Sequence, residues 1–198
     1  DQVEVSHQHI LFGQPGVARF LVFRANAFMS TYQDAIDLGT RTNTTPDILS
    51  TRYGYQSLSG YGINIEQALS KDVGFFARWS WNTGNTETQT LDISQSLSGG
   101  LSIKGSSWGR PEDTIGIGYA INGISASEID YLNRGGLTAF IGDGNLQYDR
   151  EKIFEAFYSI KAHKYLYLTA DYQRIENPAF NSARGPINIF GIRAHAEF

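Results

Sequence analysis

The sequence has no cysteine, a single methionine and few charges. Without Cys there is neither a disulfide framework nor a thiolate metal site. Asp, Glu, Lys and Arg make up 18% of the 198 residues, against roughly 25% in ordinary soluble domains. The net charge of −4 leaves no basic footprint, so nucleic acid is not an expected partner. No apolar run approaches the ~20 residues that a membrane helix needs, so any passage through a membrane is made by strands. No signal peptide is present, and a chain starting at Asp1 reads as processed or as a fragment. What the sequence does have is 21 Gly, 11 Tyr and 12 Phe. Low charge with many aromatics and glycines fits a membrane-spanning barrel with aromatic girdles, and also fits a secreted β-sandwich.

The clearest pattern is the last one. From Ile187 to the end, Phe190, Ile192, Ala194, Ala196 and Phe198 alternate with Gly191, Arg193, His195 and Glu197. Period 2 predicts a strand with one apolar and one polar face. About ten alternating residues ending on Phe suit the closing strand of an outer-membrane barrel, apolar toward lipid and polar toward the lumen. Similar alternation runs through 60–69, 73–81, 93–104, 113–122, 151–161 and 165–174. Val3 to Ile10 predicts a first strand and Val17 to Met29 a second, separated by a Phe12–Gly16 turn. The second alternates imperfectly, which a bulge explains, as does a rise beyond the lipid. Small residues at Gly116, Gly118 and Ala120 mark a face that something bulky approaches. A short helical turn is expected near Asp34–Leu38. Ser125-Ala126-Ser127-Glu128 matches a capping box, predicting one or two helical turns as far as Asn133, ended by Gly135-Gly136. Gly142 to Asn145 is expected to be a turn.

Counting back from the C-terminus, the connections alternate between long (175–186, 123–150, 82–92, 30–59) and short (162–164, 105–112, 70–72, 12–16). A barrel built of hairpins sorts its connections in this way, short turns periplasmic and long loops outside. The fold expected is therefore all-β, a transmembrane antiparallel β-barrel of the bacterial outer membrane, as one domain over 1–198. The count comes to about nine strands, whereas single-chain bacterial barrels normally have an even number. Two readings stay open: a closed eight-stranded structural barrel filled by its own side chains, or the C-terminal part of a larger barrel. A soluble sugar-binding sandwich is the remaining alternative.

Several segments resemble the carbohydrate-selective porins of the OprB type. They are Gly105-Ser106-Ser107-Trp108-Gly109-Arg110-Pro111-Glu112-Asp113; Tyr131 to Gly136 with Gly142-Asp143-Gly144; and Glu155-Ala156-Phe157-Tyr158. The most specific are Asp171-Tyr172-Gln173, Asn177-Pro178-Ala179-Phe180-Asn181, Arg184-Gly185-Pro186 and the Arg193-to-Phe198 ending. The resemblance runs from about Val3 to the end. It implies a barrel of about sixteen strands around a water-filled channel that passes small sugars, with this chain supplying roughly the C-terminal half. The partners implied are small sugars, outer-membrane lipid, and either an N-terminal half of the barrel or another copy of the chain. No cofactor is implied.

Sugars need paired hydrogen-bond donors and acceptors, and aromatic surfaces for their ring faces. The lumen candidates are Asn64, Glu66, Arg78, Lys104, Glu151, Glu155, Asp171, Gln173, Arg193, His195 and Glu197, with Arg78, Asp171 and Arg193 foremost because each sits in a strand between apolar neighbours. The plainer reading of each is an ion pair that only braces the wall. Trp108, in a short turn, reads as an interface anchor. His7-Gln8-His9 puts two imidazoles on one strand face but has no third ligand nearby, so no metal is expected. No activated-nucleophile motif is present, so no enzyme is expected.

Overall fold

A computed structural model describes residues 1–87, 93–138, 141 and 146–197. Nine strands form one antiparallel sheet in strict sequence order: β1 (Gln2–Leu11), β2 (Gln14–Met29), β3 (Gly54–Ala68), β4 (Val73–Asn82), β5 (Gln95–Gly105), β6 (Arg110–Gly123), β7 (Glu151–His163), β8 (Leu166–Glu176) and β9 (Ile187–Ala196). β1 and β9 are the two edges, so the sheet is open. This overturns the closed eight-stranded barrel: the N-terminal segment is a true strand, paired with β2 from Gln2 to Leu11. It also overturns the sandwich, since among the described residues there is one sheet and none packs on its apolar face.

Every strand follows its neighbour in an antiparallel meander, so all short turns lie at one end and all long connections at the other. The first turn is tighter than expected. It is Phe12-Gly13 alone, both at positive φ (53° and 74°), and Pro15 and Gly16 already belong to β2. Two residues at positive φ are what a two-residue hairpin with native twist requires. No bulge interrupts β2, which keeps continuous register with both β1 and β3. Its pattern breaks because β2 (16 residues) and β3 (15) are longer than the 9–11 or so that cross a bilayer. Past Val22 the outer face turns polar, where Arg24 donates to the Ser57 hydroxyl (3.0 Å) and that hydroxyl to Asn26 (3.2 Å).

One face of the wall is apolar and uncovered. Val5, Phe20, Ile63, Phe75, Trp79, Leu101, Ile117, Leu168 and Ile192 share it, and each is more than a third exposed. Aromatic groups border it: Tyr61 with Trp79 and Trp81, and Phe154 with Tyr172 and Phe190. Trp108 lies at the opposite, short-turn border and donates to the Tyr158 hydroxyl (3.1 Å), as an interface anchor would. Phe190, Ile192, Ala194 and Ala196 lie on the apolar face as expected; Phe198 lies outside the described residues, as does the Gly142–Asn145 turn.

The buried core is elsewhere, among the long connections. Tyr32, Ala35 and Ile36 of helix α1 (Tyr32–Thr42) meet Tyr131 and Leu132 of helix α2 (Ala126–Asn133), with Ile48, Ile124, Ile141 and Phe180. Buried Tyr32, Ala35, Ile36 and Gly39 recur at helical spacing. α1 is longer than the expected turn at 34–38 because both ends are capped. Thr31 accepts from the Asp34 amide (3.0 Å), and Asn43 closes the far end in the left-handed region. α2 starts as its capping box predicts, with Ser125 accepting from the Glu128 amide (3.1 Å).

Candidate functional site

Residues paired across adjacent strands point to the same side of a sheet. Asn64 opposes Arg78, Glu155 opposes Gln173, Thr169 opposes Arg193 and Tyr167 opposes His195. Carrying the register from β1 to β9 puts all eleven candidates on the face opposite the apolar one. The structure sorts them into two groups, with small residues between.

The first group spans β2 to β4. Arg78 Nε donates to Asn64 (3.4 Å), Asn64 Nδ2 to Glu66 (3.2 Å), and Arg19 Nη1 to Glu66 (2.8 Å). The Arg78 guanidinium also lies over the Phe76 ring, 5.2 Å from its centroid. A guanidinium has five N–H donors, and the bond to Asn64 uses one of Arg78's. Arg19 was not legible as a candidate, because Val17, Leu21 and Phe23 share its face and hide the alternation. Reading β2 against β3 exposes it, since Arg19 stands opposite Asn64.

The second group spans β7 to β9. Glu155 and Asp171 are diagonal neighbours across the β7–β8 pair, Gln173 stands opposite Glu155, and Arg193 lies one step beyond Asp171 on β9. His195 Nε2 and Glu197 are 3.0 Å apart. Glu151 belongs to neither group. It accepts from the Ala179 amide (3.0 Å) and so ties a long connection to the wall. Lys104 sits beside the β5–β6 turn, opposite Thr114.

Between the groups the same face of β5 and β6 carries Ser98, Gly100, Ser102, Gly116, Gly118 and Ala120. These glycines do not all leave the interior open. The Phe76 ring fills the space that a side chain at Gly100 would need, and the Phe157 ring does so at Gly116. Gly74 and Gly118 do stay open. The bulky approach that the small residues imply is therefore met at Gly116, by a neighbouring strand's own ring, and not at Gly118.

The long connections close over one end of this face. Glu87, almost fully buried, takes both Arg52 Nε and Nη2 at 2.5 Å and the Ser30 amide at 2.9 Å. That hydrogen bond to Glu87 holds the Arg52 guanidinium above its ordinary pKa. The Tyr131 hydroxyl accepts from the Ile48 and Leu137 amides (both 3.2 Å) and donates to the Leu137 carbonyl (2.9 Å). Burial pushes this phenol's pKa up. The 83–87 segment pairs with 30–32, and 147–149 with 180–182. His7 and His9 stack at 6.0 Å on the apolar side, where His9 meets Gln67 (2.9 Å). Among the described residues no helix is long and apolar enough to cross a membrane, which leaves strand crossing untouched.

An antiparallel meander, apolar and aromatic-bordered on one side and polar on the other, with turns and loops sorted to opposite ends, defines the wall of a transmembrane β-barrel. The sequence model of the carbohydrate-selective porins, OprB family, matches residues 3–198, and the chain belongs to that family of bacterial outer-membrane proteins. A curated relative, Porin AaxA of Chlamydia pneumoniae, is 28% identical over 138 residues, covering 70% of this chain and 28% of its own length. The high-pH structure of Pseudomonas putida OprB superposes on the whole chain with a TM-score of 0.79 at 17% identity, and the chain spans 48% of it. The low-pH structure of the same protein gives 0.56 at 15% identity, with 46% spanned. At such identities the likeness is one of fold. The chain thus spans about half the length of the OprB structures it matches.

Proposed function

We propose that these nine strands form part of the wall of a diffusion channel for small neutral sugars. The observation that carries this is the hydrogen-bonded line Arg78–Asn64–Glu66–Arg19 on the polar face, laid beside the Phe76 ring. It offers alternating donors and acceptors next to an aromatic surface, which is what a hydroxylated ring with apolar faces exchanges its water for. The Glu66 carboxylate sits between the two guanidiniums and compensates part of their charge, so the line orients dipoles as well as charges. No covalent step is involved. The open edges at β1 and β9 are paired by further strands of the same barrel or of another copy, because unpaired backbone is not tolerated in hydrocarbon. Residues 1–198 belong to that single barrel domain, with short turns facing the periplasm.

Swelling of vesicles that hold the assembled porin tests this. A neutral hexose is expected to enter faster than a zwitterionic amino acid of equal size, and Arg78→Ala to narrow the gap. Equal rates for the two solutes in the unmodified porin overturn the sugar reading.

A further inference from the structure

At the short-turn end of the polar face, away from the Arg78 line, lies a recess of about 290 Å³ between β7, β8 and β9, lined by Ser159, Tyr167, Thr169, Arg193, His195 and Glu197. Ligand pockets run from about 300 Å³ upward, so this one suits a single small ring. Three features make it more than a gap. The Tyr167 and His195 rings meet at 50° with centroids 6.4 Å apart, forming a corner rather than a stack. Such a corner touches the apolar face of a pyranose with one ring and its edge with the other. Thr169, only 6% exposed, donates to the Ser159 hydroxyl at 3.1 Å, a fixed hydroxyl pair with acceptor capacity left over. Arg193 and Glu197 supply a donor and an acceptor four residues apart along the chain, with Glu197 steadied by His195 (3.0 Å).

The charges around this recess also set the kind of ligand. Its one guanidinium and one carboxylate cancel. The Lys161 ammonium lies over the Tyr167 ring (5.7 Å) and is already paired with Glu112 (2.8 Å). Asp171 stands one step above Arg193. Glu197 and Asp171 thus both flank the single Arg193 guanidinium, so an anionic sugar finds no uncompensated cation here. We propose that this recess is a second station for a neutral monosaccharide, at the end of the wall opposite the long connections. The proposal rests on the sugar-channel reading.

The test is current block in planar bilayers holding the assembled porin, with glucose or glucuronate added on the short-turn side. Tyr167→Ala and Arg193→Ala are each expected to raise the half-blocking glucose concentration roughly tenfold, the loss of about one good contact. His195→Ala serves as a further variant if either fails to fold, checked by unchanged heat-modifiable migration. Glucuronate is expected to block less well than glucose. If glucose blocks the unmodified porin and all folded variants alike, the station is overturned while the channel reading stands. If glucuronate blocks better, the neutral-ligand assignment is overturned. If no sugar blocks or enters the unmodified porin, both readings fall together.

Discussion

Ile117 in the wall and Leu132 among the loops are both large aliphatic residues, yet Ile117 is 41% exposed and Leu132 1%. Two solvents are written into one chain. The wall keeps its apolar groups on the outside, because lipid is as apolar as they are, and every strand but the edges satisfies its backbone through two neighbours. The long connections stand in water and must bury their apolar groups against each other, so they form the helices, ring contacts and ion pair, Arg52 to the buried Glu87, that a small soluble domain would have. Tyr32 and Tyr131 meet there at 5.3 Å, tilted by 44°. The lesson is that this wall has no hydrophobic core to weaken, whereas its loop body does.

The largest effect is expected where that core is cut. Leu132→Ala should cost the loop body about 2–5 kcal/mol, seen as faster proteolysis of the long connections while the folded-barrel band in gels persists. If wall and loops then melt together, they are not separately stabilised. Next in size is a charge on the outer face. Ile117→Arg should cost about 2–4 kcal/mol of folding in lipid vesicles if it sits near the bilayer midplane, and Ser98→Arg on the opposite face much less. Equal costs would break the assignment of faces.

The smallest effect concerns the Tyr131 hydroxyl. Tyr131→Phe removes its bonds and should cost about 1–3 kcal/mol, since the buried Ile48 amide and the part-buried Leu137 amide lose their acceptor. Its raised pKa adds a sign. The unfolded phenol ionises first as pH rises, so its contribution is whole below the ordinary tyrosine range and is lost as pH climbs through the raised folded value. Alkaline unfolding of the loop body followed by tyrosine absorbance should show this step, and the Phe variant should lack it.

Much of the wall was legible because lipid imposes a strict alternation. β4 reads Val73, Phe75, Ala77, Trp79, Trp81 against Gly74, Phe76, Arg78, Ser80, and its register bears this out. The sorting of loop lengths and the capping box at Ser125 were also visible. The loop body was not. Its buried core residues come from three connections far apart in sequence, and although Tyr32, Ala35, Ile36 and Gly39 recur at helical spacing, what they pack against emerges only when α1 and α2 meet. The register puts the eleven polar candidates on one face, but their division into two groups depends on cross-strand pairing, which spacing along a single strand does not carry. Glu151 looked like the others and proved to hold a loop amide.

Gly116 and the Phe157 ring that occupies its missing side chain make the bore of this wall adjustable by one carbon. A methyl there leaves the ring no room in its present place, so the ring must shift. A substitution at Gly116 thus acts on the polar face through a side chain that belongs to the neighbouring strand. Two adjacent strands are inherited here as one unit, and a survey that scores each position by its own side chain would miss half of it.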